Sequence, residues 1–141
     1  MRWLVLFVVL CSVPTLNAEQ EKQKSPEVKQ ERLIDRLCIV QMHKEAMKRR
    51  KERRLERQKL NEECCRIAQR WAEEMAKRNR LEHGGGEQVI ARGYKTPVAC
   101  VAAWMLSAPH RAWLLCKRSR VGWGCATSKT GVKYWAGCFR K

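Results

Sequence analysis

Two imidazoles and one carboxylate dominate the chemistry this chain can offer: His83, Glu87 and His110. The run opens His83-Gly84-Gly85-Gly86-Glu87 and closes Pro109-His110-Arg111, and the remaining histidine of the chain is His43. Near neutral pH, imidazole is the side chain best suited to hold zinc or to move a proton. A catalytic zinc needs such ligands brought together from separate elements, with one position left open. His83 and His110 are therefore the candidate metal ligands, and Glu87 the candidate general base on a zinc-bound water. The competing reading makes both histidines hydrogen-bonding ties between a helix end and a sheet. A lipase is excluded: His83-Gly84-Gly85-Gly86 resembles an oxyanion-hole segment, but no Gly-x-Ser-x-Gly elbow accompanies it. Thiol catalysis would need Cys116 beside His110, which sequence does not establish.

The elements that must position these groups can be read from periodicity and punctuation. Val28, Leu33, Ile34, Leu37, Val40 and Met47 recur at helical spacing, so a first helix is expected from Val28 to about Lys59. Its second half, from Lys48, is almost wholly charged and reads as a solvated helix end plus loop. Asn61 caps a second helix running to about Leu81, with Cys64, Ile67, Ala68, Trp71, Ala72, Met75 and Ala76 inward. Gly84-Gly85-Gly86 is expected to stop it just before Glu87. Gln88 to Arg92 reads as a short strand. Thr96 and Pro97 open a third helix, with Val98, Val101, Ala102 and Met105 inward, and Pro109 is expected to end it. Val121–Ala126 and Val132–Phe139 flank the turn residues Ser128 to Gly131 and form a hairpin. Trp71, Trp104, Trp113, Trp123 and Trp135 are read as core. This element order suggests an α+β sandwich.

The order and spacing of several segments resemble the CAP superfamily (SCP domain; cysteine-rich secretory, antigen 5 and pathogenesis-related proteins), in its compact bacterial form. The matching pieces are Leu60-Asn61, Ile67 to Ala76, His83, Gly86 to Ala91, Trp104-Met105-Leu106-Ser107, Pro109-His110-Arg111, Gly122-Trp123-Gly124 and Tyr134 to Phe139. The resemblance covers about residues 29–141 and implies an α-β-α sandwich with a small antiparallel sheet between helices. It also implies that His83, Glu87 and His110 share a central cleft, where larger members hold metal with two histidines and add two acidic residues. This chain departs from that pattern in having Ser107 at the second acidic position, Gln88 for Asn and Pro109 for Gly. Arg111 is expected to pair with Glu74 or Glu82, or to cover an aromatic ring. Relatives bind sterols or other lipids in surface grooves, but the sequence itself points to no such pocket.

Composition sets the setting. Trp3 to Val13 is an apolar run behind Arg2, too short to span a bilayer but suited to a secretory signal, with cleavage after Ala18. The expected organisation is a signal peptide over 1–18, a polar leader over 19–28 and one domain over 29–141. Cleavage would remove Cys11 and leave an odd number of cysteines, many of them expected to pair in an oxidising compartment. The formal charge of +16 favours anionic partners such as a wall polymer or lipid surface. The basic run Lys48 to Lys59 has no heptad after it, and specific nucleic-acid binding is not expected. The reading is a secreted protein, extracellular or periplasmic, with no integral membrane segment after signal cleavage. It binds an unknown extracellular ligand (anionic polymer, lipid or protein) in a defence- or envelope-related role through the His/Glu cleft and basic surface, with zinc as the candidate cofactor. The alternatives are a protease-like zinc hydrolase using Glu87 and a cationic protein that adheres to anionic membrane or wall polymer.

Overall fold

The computed structural model describes Leu33 and residues 36–141. The expected signal peptide, the leader and the start of the first helix, with Val28 and Ile34, lie outside the described residues. The element order is α1 (Leu37–Lys51), β1 (Lys59–Leu60), α2 (Glu62–Arg78), β2 (Val89–Arg92), α3 (Pro97–Leu106), α4 (Ala108–Leu114), β3 (Arg120–Thr127) and β4 (Lys133–Arg140). The four strands form one sheet in the order β1-β3-β4-β2. The hairpin is in register from Arg120↔Arg140 to Thr127↔Lys133, and β2 lies antiparallel on the far edge of β4. The sheet is mixed rather than wholly antiparallel, because β1 pairs parallel with β3 through Lys59↔Arg120 and Leu60↔Val121.

Strand alternation divides the core into two layers. Val89, Ala91, Val121, Trp123, Trp135 and Phe139 face α1, α3 and α4. Ile90, Tyr134, Ala136 and Cys138 face α2. The chain is thus an α+β domain with the sheet between helices. The three fully buried tryptophans hold the first layer: Trp104 stacks on Trp123 at 5.9 Å, and Trp123 meets Phe139 edge-on at 5.5 Å. Their polar tips are satisfied, Trp104 donating to the Ile90 carbonyl and Trp135 to that of Tyr94. Trp71 and Trp113 are only half-buried.

The second layer depends on two glycines. A Cβ at Gly122 would lie 2.1 Å from backbone atoms of Cys64 and Cys65, and one at Gly124 2.3 Å from the Gln69 nitrogen. Only a bare backbone lets α2 lie this close to β3. Gln69 then uses that proximity, its side-chain amide donating to the Cys125 carbonyl and accepting from the Cys125 nitrogen. The exposed edge of β3 is thereby paired beyond the reach of two-residue β1.

Several boundaries differ from expectation. Helix α1 ends at Lys51, not near Lys59, because Lys59-Leu60 gains strand hydrogen bonds from β3. Its inward apolar face is Ile39, Met42, Ala46 and Met47, the last as expected, while Leu37 and Val40 are exposed. Helix α2 ends at Arg78, short of Leu81, on Asn79 rather than on the glycine triplet. Asn79 takes a left-handed conformation (φ 52°), and the Arg80 nitrogen bonds back to the Met75 carbonyl in a Schellman closure. The Tyr134 hydroxyl donates to Asn79 at 2.9 Å, which fixes that closure from the sheet. In α3 the buried residues are Pro97, Cys100, Val101, Trp104 and Met105, and Val98 is exposed. Pro109 does not end α3; it lies in the first turn of α4, where a missing N–H costs nothing.

One disulfide, Cys38–Cys125, joins α1 to β3, and Cys64, Cys65, Cys100, Cys116 and Cys138 are unpaired among the described residues. Against the expectation of many bridges, the described residues form this one, and four of the five unpaired cysteines are buried; burial pushes the thiol of Cys65 up to about 11 and that of Cys138 to about 12. These behave as small apolar groups. His43 of α1 is held well down, to about 4, first by burial and then by Arg57, and accepts a long contact from the Trp123 indole.

Gly122→Ala is expected to lower stability by about 3 kcal/mol or more, or to prevent folding, since backbone must move. Gly131→Ala, at a turn with open space around it, should cost only about 1 kcal/mol through its positive φ. Chemical denaturation of the two variants measures the difference.

Candidate functional site

The candidate residues lie on the loop that follows α2 and at the start of α4. Between the closure of α2 and the start of β2, residues 79–88 turn sharply, with Gly86 at φ 84°. Gly85 lies against the Trp71 ring, where a Cβ would come within 2.6 Å. The Trp71 indole donates to the Glu82 carbonyl at 2.7 Å, and Arg78 and Arg80 pair with the Glu82 carboxylate. On the other side, Gln88 accepts from the Phe139 nitrogen at 2.6 Å and donates to the Gly86 carbonyl. Gln88 therefore ties the loop to β4.

Glu87 is the centre of this loop. Its side chain has no solvent exposure. One carboxylate oxygen contacts His83 Nδ1 at 2.9 Å and accepts from the Gly84 nitrogen at 3.2 Å, and the other accepts from the Gly85 nitrogen at 2.7 Å. A buried carboxylate with three partners is well satisfied, and the glycine triplet supplies two of them. The His83 side chain, by contrast, is 55% exposed.

His110 reaches the cleft from α4. Its Nδ1 lies 2.8 Å from Ser107 Oγ, and Ser107 occupies the junction of α3 and α4. Burial lowers the His110 pKa, and the charge of His83 lowers it further, so the two rings sense one another. The structure thus pairs His83 with Glu87 and His110 with Ser107, and the two pairs are linked by the electrostatic effect of His83 on His110. Both Nδ1 atoms are engaged, and neither Nε2 has a partner among the described residues. No cluster of three or more His, Cys, Asp or Glu side chains with metal-binding geometry occurs among the described residues.

Arg111 takes neither expected role: its guanidinium donates to the Met105 carbonyl at 2.9 Å, while Arg78 holds both Glu74 and Glu82. Cys116 lies against Gln58, with its sulfur 3.7 Å from the Gln58 amide nitrogen.

A second feature went unseen in the sequence. A groove of about 1020 Å³ runs between α1, the start of α3 and β4. Leu37, Pro97, Val98 and Trp135 give it apolar walls, and Lys44, Lys48, Lys95 and Lys133 surround it. Its one carboxylate, Glu45, is already paired with Arg49 at 2.8 Å. Lys44 and Lys48 stand one helical turn apart beside exposed Leu37, a spacing that is present in the sequence but not interpretable without α3 opposite.

Residues 45–139 match the profile of the CAP family, described as the cysteine-rich secretory protein family. The chain belongs to the CAP family. Solved structures agree on the fold. An outer surface protein from Borrelia burgdorferi is similar at 16% identity and a TM-score of 0.62, over 71% of this chain and 90% of that one. An extracellular SCP-domain protein from Bacillus anthracis has 18% identity and a TM-score of 0.57, over 73% of this chain and 40% of its own. MpPR-1i has 15% identity and a TM-score of 0.52, over 68% and 84%. No curated protein matches the chain. At these identities the structural likeness speaks for the CAP fold, and the site must be argued from its own geometry.

Glu87→Ala is expected to cost about 2 kcal/mol, because it leaves the Gly84 and Gly85 amides unsatisfied. Glu87→Gln, which keeps one acceptor, should cost less. Imidazole ¹⁵N shifts should move for His83 in both variants and stay fixed for His43.

Proposed function

We propose that this CAP domain is an exported binding protein whose principal ligand is an anionic amphiphile held in the groove between α1 and α3. The observation that carries this reading is the combination of apolar walls with four lysines and no free carboxylate. An apolar chain would lie on Trp135, Leu37 and Val98, and an acidic head would meet the lysines at the rim. Burial of apolar area supplies affinity, and the rim charges supply orientation and on-rate. Export is supported by the apolar run Trp3 to Val13 behind Arg2 and by the Cys38–Cys125 disulfide. Among the described residues, no helix is long and apolar enough to cross a membrane.

Titration of the full chain with a long-chain fatty acid should quench tryptophan emission, with Kd on the order of micromolar, about −8 kcal/mol. The matching fatty alcohol should bind at least about tenfold more weakly, about 1.4 kcal/mol. Val98→Glu should abolish binding of both. Equal affinity for acid and alcohol would reject the lysines as head-group contacts.

A second reading concerns zinc at His83 and His110. Its support is the anchoring of both rings through Nδ1, which leaves each Nε2 free in the manner of an oriented metal ligand. In this reading Glu87 orients His83, and its burial behind three hydrogen bonds argues for that role over general base. Two protein ligands fall short of a closed zinc site, so bound zinc would keep open positions for water or ligand. The expected outcome is zinc affinity on the order of micromolar by calorimetry, lost in a His83→Ala/His110→Ala variant that still folds. An unchanged affinity in that variant rejects the cleft as the site.

A further inference from the structure

The other end of α1 carries an unusual buried charge. Arg50 is 4% exposed. Its guanidinium donates to three backbone carbonyls: Glu56 at 2.7 Å, Leu114 at 3.0 Å and Cys116 at 2.9 Å. These bonds use Nε and one terminal nitrogen. The second terminal nitrogen has no partner among the described residues, and no carboxylate there forms an ion pair with Arg50. Burial pulls its pKa down, against the opposing pull of Cys116 and Glu56. A buried cation without a direct ion-pair partner is costly.

Arg50 lines a cavity of about 320 Å³. Its other cations are Arg54, Arg57, Lys117 and Arg118, with Ser119 as a hydroxyl and Glu56 as the opposing carboxylate. Two chain segments, 50–57 and 115–119, make the walls. They are clamped together by buried Gln58, whose amide donates to the Arg118 carbonyl at 2.9 Å, and by the Lys59 nitrogen donating to the Ser119 carbonyl at 2.7 Å. Arg54 and Arg57 are exposed and Arg118 is half-buried; exposed charges are individually weak in salt water. Arg50 is shielded from that screening, and its second terminal nitrogen remains to donate to an oxyanion, held in a fixed plane by the three carbonyl bonds. An anion with acceptors on several sides matches donors arriving from both walls and from below.

We propose that this cavity binds a tetrahedral oxyanion, a phosphate or sulfate group, with the guanidinium of Arg50 below it and Arg54, Arg57 and Arg118 around it. The site lies on different residues from both the groove and the histidine cleft and stands independently of either reading. The group comes either as a soluble anion or as a lipid head, and the chemistry of recognition is the same.

The test is calorimetric titration of the full chain with inorganic phosphate and with sulfate, at constant ionic strength set by chloride. Saturable binding with sub-millimolar Kd is expected, and Arg54→Gln/Arg118→Gln should weaken it at least about tenfold. Arg66→Gln/Arg70→Gln, an equal loss of charge on exposed positions of α2, should leave it within about twofold. Equal weakening in both variants, or no preference over chloride, overturns the proposal. Vesicles containing phosphatidic acid identify the source. Vesicle binding competed by inorganic phosphate assigns a lipid head, and phosphate binding without vesicle binding assigns a soluble ligand. Vesicle binding indifferent to Arg54→Gln/Arg118→Gln, with no phosphate binding, also overturns it. Arg50→Lys keeps the charge but loses the planar group that fixes the free nitrogen and should weaken binding. If that variant fails to fold, the rim variants decide the question.

Discussion

The close approach of α2 to β3 is the constraint on which the other contacts of the domain rest. Gly122 and Gly124 remove the side chains that would otherwise hold helix and strand apart, and Cys64 and Ala68 occupy the space. With α2 at that distance, Gln69 can serve as a strand substitute for Cys125, and Asn79 can be reached by the Tyr134 hydroxyl. The second contact sets where α2 stops and so where the His83 loop begins. Dense packing transmits such a requirement over several residues, because an interior without voids cannot yield locally.

The His/Glu loop is built by satisfying backbone donors rather than by regular structure. Three glycines leave amides that no helix or strand pairs, and the Glu87 carboxylate takes two of them while holding His83. Gly85 also lets the chain pass over the Trp71 ring. Burial of the carboxylate is tolerated because its charge is met by hydrogen bonds on both oxygens. The loop is therefore stiff at Glu87 and open at the exposed edge of His83, an arrangement suited to presenting an imidazole to a ligand.

The excess positive charge of the chain is not evenly distributed among partners. On α2, Arg78 is matched by Glu74 and Glu82, and on α1 Arg49 is matched by Glu45. The lysines of the groove and Arg50, Arg54, Arg57 and Arg118 of the cavity form no ion pair among the described residues. The formal charge of +16 thus includes paired surface, which contributes little, and two concave regions where cations meet apolar or buried surroundings.

Elements whose signals are local were legible in the chain before any fold was known. The Asn61 and Thr96 caps, the inward face of α2 and the β3–β4 hairpin with its Ser128–Gly131 turn follow from residue type and spacing. The family resemblance picked out His83, Glu87, Ser107 and His110, and the tertiary structure forms the pairs His83–Glu87 and His110–Ser107 from them. Packing settled the choices between equally permitted local states. Lys59-Leu60 suits a charged helix until β3 offers hydrogen bonds, and Asn79 ends α2 because Tyr134 reaches it. The apolar stripe of α1 is phased differently from its periodicity because Leu37 and Val40 are exposed, the first beside a groove that exists only once α3 packs opposite. Arg50 reads as one more charge in a basic run, and its burial follows from three carbonyls contributed by distant turns. Periodicity reports which face of an element is apolar, but it carries no information about what another element brings to that face.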